Sequence, residues 1–432
     1  MASIPLGEAE RGVGSRPAFA LFVLFLVGAL NILDRNILII LQEPIKADLG
    51  LSDTQLGSLT GLSFAIVYCL AGAPIARLAD RTVRIRIIAI SVAVWSGLTA
   101  TSGAAVNYVQ LVLLRMGVAT GEAGAFPATL SLLSDYFPLK KRPLAFALWA
   151  QCQPVGSALG LLLGGALAAT AGWRNTLLII GLVGIALAPC VMLLREPKRG
   201  RFDEGYVPAP PQPAGKLVRS FFANRALAWL LAASAMQGFV LFSVQSWSAP
   251  LYARVFAVPT EELAFYLSGV IGVAGGVGIL LGGVLGRLLV TRSPAWMMLI
   301  PGFSAIAAAP LLLGQLLVGE ATLSFAFGFF ATVSLTAYMS VQSVAAQALV
   351  APNERASVTL AISYAMNLFG LALGPMTVGM TSDFLTEHTG MGADAIKYAL
   401  LVPVAAAPLA AVCYFRSAYL ISRRHALQAG LG

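Results

Sequence analysis

The stretch REPKRGRFDEGYVPAPPQPAGKLVRS, residues 195–220, is the longest polar interruption in an otherwise apolar chain. Its prolines and mixed charges exclude a membrane-spanning helix, and the proline run favours an extended linker. We place the linker at 195–224, between an N-terminal half, residues 1–194, and a C-terminal half, residues 225–432. Each half has room for six apolar spans, so the chain is predicted to fold as two six-helix bundles.

The composition is typical of a membrane protein. Of the 432 residues, 58% are hydrophobic and 11% are charged, whereas soluble domains average about 25% charged residues. A helix that crosses a hydrocarbon layer of ~30 Å needs about 20 residues. We therefore predict an all-α membrane protein with twelve transmembrane helices, near residues 18–45, 52–76, 87–104, 107–134, 143–170, 174–194, 226–252, 261–286, 294–318, 321–350, 356–382 and 394–415.

Basic residues are distributed unevenly between the two sides of these spans. One side holds Lys46, Arg174, Arg254 and Lys397, and the other side, which includes the linker, holds nearly all the rest. Cytoplasmic loops carry an excess of Lys and Arg, so both termini and the linker are predicted to be cytoplasmic. The formal charge of +9 then reflects membrane topology, and nucleic acid is not expected as a partner.

Four charged residues fall inside predicted spans: Asp34 and Arg35 in the first, Arg115 and Glu122 in the fourth. A charge near the bilayer centre costs roughly 2.5–3.5 kcal/mol on insertion scales, so each needs a partner. Arg115 and Glu122 are seven residues apart, hence on one helix face and about 10.5 Å apart along the axis. A ladder that alternates Arg115, Asp34, Arg35 and Glu122 would give every charge an opposite neighbour.

Such a ladder could work as a proton switch. Burial favours the protonated form of a carboxylic acid, and a nearby arginine favours the ionised form. Arginine itself stays charged. We predict that Glu122 or Asp34 takes the proton, with Arg35 and Arg115 adjusting its affinity. The alternative is a static ion-pair lock between the first and fourth spans.

The C-terminal half offers uncharged polar and aromatic groups instead. Together with Arg35, the residues predicted to contact a substrate are Gln237, Gln245, Tyr338, Gln342, Tyr364 and Asn367. A charged half that faces a polar but uncharged half suits an amphiphilic molecule. Each of these residues can also serve as an ordinary hydrogen-bonding group between helices.

The two halves also repeat a local pattern. SDYFPLKKRPLAFAL, residues 134–148, follows the fourth span, and APNERASVTLAI, residues 351–362, follows the tenth. Glycines at four-residue spacing come next in each half, at Gly156 and Gly160 and at Gly370 and Gly374. Such spacing allows close helix packing, and a hinge is the alternative role for these glycines. Internal repeats around a midplane site are typical of transporters.

The segment ARLADRTVRIR, residues 76–86, resembles the cytoplasmic loop signature of the major facilitator superfamily. The resemblance implies the fold of that superfamily. It also implies a cytoplasmic gate, which we assign to Asp80, Arg81, Arg84 and Arg142. The alternative is a solvated basic loop.

Three further segments narrow the resemblance: LNILDR at 30–35, RMGVATGEAG at 115–124 followed by Pro127, and REPKRG at 195–200. In this order they resemble the Spinster family of lipid transporters. The family's intramembrane aspartate–arginine pair carries over onto Asp34 and Arg35. Its fourth-span arginine and glutamate carry over onto Arg115 and Glu122.

The Spinster resemblance implies a secondary active transporter that works by alternating access and is coupled to protons. Its expected substrate is an amphiphile such as a lysophospholipid or a sphingosine-type lipid. A multidrug or organic-anion carrier of the same superfamily is the alternative. We expect a monomer in the inner membrane of a bacterium, with protons, membrane lipids and the small-molecule substrate as its partners.

Two other classes of protein lack the necessary sequence features. Only two histidines are present, His388 and His425, and both are predicted outside the membrane core. No metalloprotease, nucleophile-elbow or phosphate-binding motif occurs, so the chain is not expected to be an enzyme or to need a metal or cofactor. The repeated halves and the charge ladder argue against a channel or a receptor scaffold.

Overall fold

The structure, a computed structural model, describes residues 17–138, 140–202, 214–350 and 354–428, and the regular elements within these ranges are all helices. The α-helices are α1 Pro17–Leu49, α2 Asp53–Gly57, α3 Ser63–Arg81, α4 Arg84–Ser102, α5 Tyr108–Tyr136, α6 Arg142–Ala150, α7 Cys152–Met192, α8 Ala214–Ala223, α9 Arg225–Val255, α10 Thr260–Leu267, α11 Ala274–Leu289, α12 Trp296–Leu317, α13 Ala321–Thr336, α14 Met339–Ala348, α15 Arg355–Ala365, α16 Leu373–Thr389, α17 Ala395–Ala399 and α18 Leu401–Gln428. The segments Ser58–Leu62, Ser268–Val273 and Met366–Leu371 are π-helical, and Gly392–Asp394 forms a 3₁₀ turn.

Ten helical stretches among the described residues are long and apolar enough to cross a membrane. The prediction of an all-helical, multi-pass membrane protein is thus confirmed. One stretch, Leu144–Met192, is 49 residues long. It breaks at Gly172, whose φ of 76° is accessible to glycine and costly for other residues. The helix α5, which carries Arg115 and Glu122, is not among the ten.

Glycines bring α1 and α7 into backbone contact. An added Cβ at Gly156 would lie 2.5 Å from the carbonyl oxygen of Ala29, and one at Gly160 would lie 2.8 Å from that of Leu33. The predicted glycine spacing therefore gives a smooth helix face, as expected for close packing of membrane helices. This contact fixes the position of α1, the helix that carries Asp34 and Arg35.

The segment that joins the halves is partly helical. Residues 203–213, which contain the proline run, lie outside the described ranges. After them the chain forms α8, inside the segment predicted to be extended, because no proline follows Pro213 until the next span is under way. The next helix, α9, begins where the Asn224 side chain accepts a hydrogen bond from the backbone of Leu227.

Irregular helix segments meet where the halves touch. The π-helical segment Ser58–Leu62 packs through Gly61 on the carbonyl oxygen of Leu371, at the end of the π-helical segment Met366–Leu371. The π-helical segment Ser268–Val273 packs through Gly272 on Ala158 of α7. π-Helical turns are frequent at functional sites. Here they lie at the contacts between the N-terminal and C-terminal halves.

Candidate functional site

The four charges of the first and fourth spans form two ion pairs. Arg115 Nη1 lies 2.9 Å from Asp34 Oδ2, and Arg35 Nε lies 2.6 Å from Glu122 Oε2. The seven-residue spacing on α5 puts its two charges at different depths on one face. Asp34 and Arg35 are consecutive on α1, so each can reach a different one of them.

The two carboxylates are not equivalently bonded. Both oxygens of Asp34 accept hydrogen bonds, because Thr99 Oγ1 of α4 donates to Oδ1 at 2.6 Å while Arg115 donates to Oδ2. Glu122 accepts from Arg35 through Oε2 only, and its Oε1 is buried without a hydrogen-bond partner. A buried carboxylate oxygen without a donor is unfavourable unless it carries a proton or meets a water.

Two aromatic rings of α3 cover the guanidinium of Arg35. Its Cζ lies 4.8 Å from the Phe64 ring centroid and 4.7 Å from the Tyr68 ring centroid, within the range of a cation–π contact. The Arg35 side chain is 27% exposed, whereas that of Glu122 is 0% exposed. Arg35 is therefore partly exposed, whereas Glu122, with which it pairs, is enclosed.

Two neighbouring cavities lie between the halves. The larger has a volume of about 260 Å³ and an apolar lining that includes Val27, Ile32, Phe126 and Trp149. The smaller has a volume of about 110 Å³; its lining is mainly apolar but contains more polar groups, from Ser157, Gln245, Ser248, Gln315, Thr336 and Tyr338. Gln153, Ile279 and Met339 line both. We call them the apolar cavity and the polar cavity.

The predicted substrate residues are placed unevenly around these cavities. Gln245 and Tyr338 line the polar cavity. The other predicted residues are not among the residues that line either cavity. Gln237 and Gln342 are both buried. Gln237 Nε2 donates to the Leu335 carbonyl oxygen at 2.9 Å, and Gln342 Nε2 donates to the Ser234 hydroxyl.

The remaining pair of predicted substrate residues lies along α15 and the π-helical segment after it. The Tyr364 hydroxyl donates to the carbonyl oxygen of Cys69 in α3 at 3.2 Å, so it joins the two halves. Asn367 Nδ2 donates to the carbonyl oxygen of Ser363 at 2.8 Å, within its own helix. Both side chains form backbone contacts rather than part of a cavity wall.

A dense ionic network joins the halves at the end of the molecule where α1 ends. Asp53 is buried and accepts hydrogen bonds from Arg254 Nη1 at 2.7 Å, from Lys46 Nζ at 2.5 Å and from Ser382 Oγ at 2.7 Å. Arg254 also contacts Glu43 at 2.6 Å. We call this end the sealed end, because the network covers the gap between α1, α2, α9 and α16.

A second acid of the C-terminal half strengthens the seal. Asp383 accepts hydrogen bonds from the backbone nitrogens of Asp53 at 3.0 Å and Thr54 at 2.8 Å. It also accepts one from the Thr54 hydroxyl at 2.6 Å. The first turn of α2 in one half is thus capped by a side chain from the other half. Helix caps of this kind satisfy otherwise unpaired backbone donors.

The predicted gate residues lie at the opposite end, beside the linker. Arg84 is buried and pairs with Asp135 at 2.5 Å and with Glu196 of the linker at 2.6 Å. Arg142 Nε donates to backbone carbonyl groups near the end of α5, and Arg81 is exposed. The side chain of Asp80 lies outside the part of the chain that the structure describes. The gate assignment stays a prediction.

Several residues of these sites escaped sequence reasoning. Thr99 gives no signal, because a threonine inside an apolar span is common. Asn36 follows the charged pair directly and could have been noticed as a polar residue in an apolar run. The sequence places Arg254 in a segment outside the membrane and predicts no role for Asp383. The residues that they contact in the ionic network are far away in the chain, so the sequence gives no sign of the contacts.

No group of three metal-binding side chains occurs among the described residues. The four cysteines are free and separate. The chemistry available at the site is therefore that of carboxylates, guanidinium groups, hydroxyls and amides, which can bind protons and hydrogen-bonding groups.

Comparison with known proteins places this arrangement in a family. The Major Facilitator Superfamily profile matches residues 24–375. An "MFS-type efflux pump" of Mycolicibacterium smegmatis is 33% identical over 421 residues, which cover 96% of this chain and 95% of that protein. The zebrafish (Danio rerio) "Sphingosine-1-phosphate transporter SPNS2" is 24% identical over 398 residues, covering 86% of this chain and 77% of that protein.

A solved structure agrees with the fold over nearly the whole length. It is a bacterial homolog of the human lysosomal transporter Spinster in an inward-facing and occupied conformation, with a TM-score of 0.85 and 28% identity. The match covers 95% of this chain and 99% of that one. The chain is thus an integral, multi-pass membrane protein, consistent with a bacterial inner membrane. It belongs to the Major Facilitator Superfamily, and Spinster proteins are among its homologues.

Proposed function

We propose that this protein is a proton-coupled secondary transporter that moves an amphiphilic substrate by alternating access. The observation that carries the proposal is the unequal bonding of the two intramembrane carboxylates. Asp34 has donors on both oxygens, whereas Glu122 has a donor on one oxygen only. A proton on Glu122 Oε1 would need no rearrangement around Asp34. Glu122 is therefore the proton site, and Asp34 is the fixed counter-ion of Arg115.

The exchange of the proton follows from the position of Arg35. While Arg35 bonds to Glu122, the carboxylate is stabilised in its ionised form. When the Arg35 side chain turns away, Glu122 loses its counter-ion in a closed pocket, and protonation becomes favourable. The position of the Arg35 side chain thus couples proton uptake to the conformation of the protein.

The topology proposed from the sequence completes this picture. Dividing the stretch Leu144–Met192 at Gly172 and adding α5 to the ten apolar stretches gives twelve spans, six in each half. With the linker and both termini in the cytoplasm, the sealed end faces outward. The described conformation is then inward-facing, as in the solved Spinster homolog.

The two cavities support an amphiphilic substrate. An apolar chain fits the apolar cavity, and a hydrogen-bonding group fits the polar cavity beside Gln245 and Tyr338. The name of the zebrafish relative specifies sphingosine-1-phosphate as its cargo. A lysophospholipid or a sphingosine-type lipid is therefore the proposed substrate, carried by a monomer that needs no cofactor.

The second candidate is drug efflux. It is favoured by the mycobacterial relative, whose name describes an efflux pump and which matches along nearly the full length of both chains. The apolar cavity, with Phe126 and Trp149 in its wall, would also accept an aromatic cation.

Transport by purified protein in liposomes tests both candidates. We expect a proton gradient to accelerate the movement of lysophosphatidylcholine, and Glu122→Gln to remove most of that acceleration while the protein still folds. Glu387→Gln, an exposed acid at the sealed end, is the control and should behave like the unmodified protein.

Movement of ethidium but not of lysophosphatidylcholine would favour efflux. Proton coupling that survives Glu122→Gln and Asp34→Asn, singly and together, would show that the proton site is elsewhere.

A further inference from the structure

Residues 34–36 of α1 contact helices of both halves. The first two bond to α5, and the third, Asn36, is buried between the halves. Asn36 Nδ2 donates to Ser157 Oγ of α7 at 3.2 Å and to the carbonyl oxygen of Ile32 at 2.9 Å. Asn36 Oδ1 accepts from Gln245 Nε2 of α9 at 3.1 Å. One side chain therefore joins α1, α7 and α9.

Both side-chain partners of Asn36 belong to the wall of the polar cavity. Ser157 and Gln245 line the cavity, whereas Asn36 lies behind them and is not among its lining residues. A substrate group that accepts the Gln245 Nε2 hydrogen now bonded to Asn36 would compete with Asn36 for it. Occupancy of the cavity by such a group would change the bonding of the residue that directly follows Arg35.

The two contacts of Asn36 differ in how easily they break. α1 and α7 touch at Gly160, where an added Cβ would lie 2.8 Å from the Leu33 carbonyl oxygen and 3.3 Å from Asn36 Cβ. The bond to Ser157 therefore lies within a closely packed helix pair of one half. The bond to Gln245 crosses to the other half, so it must break if the halves separate at this point.

We propose that Asn36 is a positioning residue that links occupancy of the polar cavity to protonation of Glu122. When a substrate takes over the Gln245 amide, Asn36 loses its hydrogen bond to the other half. The Arg35 side chain, on the adjacent residue, then turns away from Glu122, while Asp34 keeps its bonds to Thr99 and Arg115. This inference rests on the proton-coupled transport proposed above.

The groups around Glu122 are consistent with such a link. Arg35 and Asp34 face it from α1, Arg115 lies on its own helix α5, and Tyr68 of α3 packs on Arg35. Among these groups, Arg35 is the one whose side chain can turn away from Glu122 while Asp34 keeps both of its hydrogen bonds. The response to Asn36 is therefore expected to pass through Arg35.

The test is the dependence of substrate affinity on pH. Coupling between two binding events typically changes affinity by about 5-fold to 150-fold. We expect the affinity of the unmodified protein for lysophosphatidylcholine to differ by such a factor between mildly acidic and mildly alkaline pH. In Asn36→Leu the difference should shrink to less than about twofold, since the link is broken. Binding to the full chain in lipid nanodiscs can be followed by tryptophan fluorescence, because Trp149 lines the apolar cavity.

The chain offers a matched control on the same helix. Gln42 is buried, and its Nε2 donates across the halves to the Ser246 carbonyl oxygen at 2.6 Å, but it lines neither cavity. Gln42→Leu also removes a buried hydrogen bond between the halves, here to a backbone carbonyl oxygen, and should keep the pH dependence. Equal effects of both variants would overturn the proposal, because general weakening of the interface would then explain them.

Other outcomes separate this inference from the proposed function. A normal pH dependence in Asn36→Leu would overturn the role of Asn36 and leave proton-coupled transport intact. Absence of any pH dependence in the unmodified protein would overturn both. If Asn36→Leu does not fold, Asn36→Ser replaces it: the shorter hydroxyl can still bond to the carbonyl group one turn earlier but cannot reach Gln245. Its pH dependence should be lost in the same way.

Discussion

Asp34 is held by residues from two other helices, and the strength of that attachment is a residue-scale property. Thr99 of α4 and Arg115 of α5 each supply a donor to one of its oxygens. A buried ion pair that loses one partner is destabilised by about 3–5 kcal/mol, because the remaining charge is uncompensated. The unequal bonding of Asp34 and Glu122 is the basis for proposing Glu122 as the proton site.

The Thr99 hydroxyl can be removed with little change in side-chain volume. We expect Thr99→Val to lower the free energy of unfolding by about 1–3 kcal/mol, since Asp34 Oδ1 would be buried without a donor. Thermal unfolding in detergent measures the change. The matched control is Thr101→Val on the same helix, where the hydroxyl is bonded only to the Gly97 carbonyl oxygen and the residue is exposed. Equal losses in both variants would contradict a special role for Thr99.

At the scale of elements, the contact of α1 with α7 differs from the contacts between the halves. Inside the N-terminal half the two helices meet backbone to backbone along the glycine face of α7. Between the halves, glycines also allow close contact, but part of that contact is made by π-helical segments, through Gly61 and Gly272. Regular helices thus meet inside the N-terminal half, and irregular helical turns lie where the two halves would move in the proposed alternating access.

A methyl group at Gly156 tests the long contact. Gly156→Ala should destabilise the protein by about 1–3 kcal/mol, because the added Cβ would overlap Ala29 and force the helices apart. In Gly97→Ala the new Cβ meets nothing within 4 Å. That variant should be neutral or more stable by up to about 1 kcal/mol, since alanine is the better helix former. A tolerated Gly156→Ala would contradict the close packing of α1 on α7.

At the scale of the whole molecule, the sealed end determines which side of the central cavities is closed. Its ionic network involves both halves, with Asp53 between Arg254 and Ser382 and Asp383 on the first turn of α2. Bonds to charged groups contribute roughly 1.5–3 kcal/mol each. Removing them should therefore change the populations of the two conformations proposed for alternating access without unfolding either bundle.

Asp383→Ala should increase the population in which the sealed end is open by about 5-fold to 150-fold. Spin labels on cysteines at Val106 and Thr389, which are exposed on opposite halves at this end, report the change as a longer distance in a background without native cysteines. Asp48→Ala is the control, since Asp48 pairs with Arg174 within the N-terminal half. An unchanged distance distribution in Asp383→Ala would show that the network does not hold the halves together.

Part of this structure follows directly from the order of residues in the chain. The apolar runs predict membrane helices because a hydrocarbon layer fixes their length and excludes unpaired backbone groups. The glycine spacing predicts a smooth helix face, and the structure confirms the contact it allows. The pairing of Asp34 and Arg35 with Arg115 and Glu122 could be anticipated as well, because buried charges need opposite neighbours and few were available.

Uncharged polar residues were far less predictable. Of the glutamines and tyrosines expected at a substrate site, Gln245 and Tyr338 line the polar cavity, and the others bond to backbone or buried side chains. A neutral amide satisfies its hydrogen bonds equally well inside a helix bundle or at a cavity wall. Its sequence position therefore does not reveal which of the two it occupies.

Composition, helix periodicity and the scarcity of intramembrane charge were thus sufficient to establish the class of protein, the membrane helices and the charged partners. Only the packing of the two halves decided which carboxylate oxygen has no donor, where the cavities lie and which end is sealed. The physical reason is the separation along the chain over which each effect acts. Burial patterns and helix periodicity can be recognised from neighbouring residues. The contacts of Asn36 with Gln245 and of Asp53 with Asp383 join segments about 200 residues or more apart and exist only once both halves are assembled.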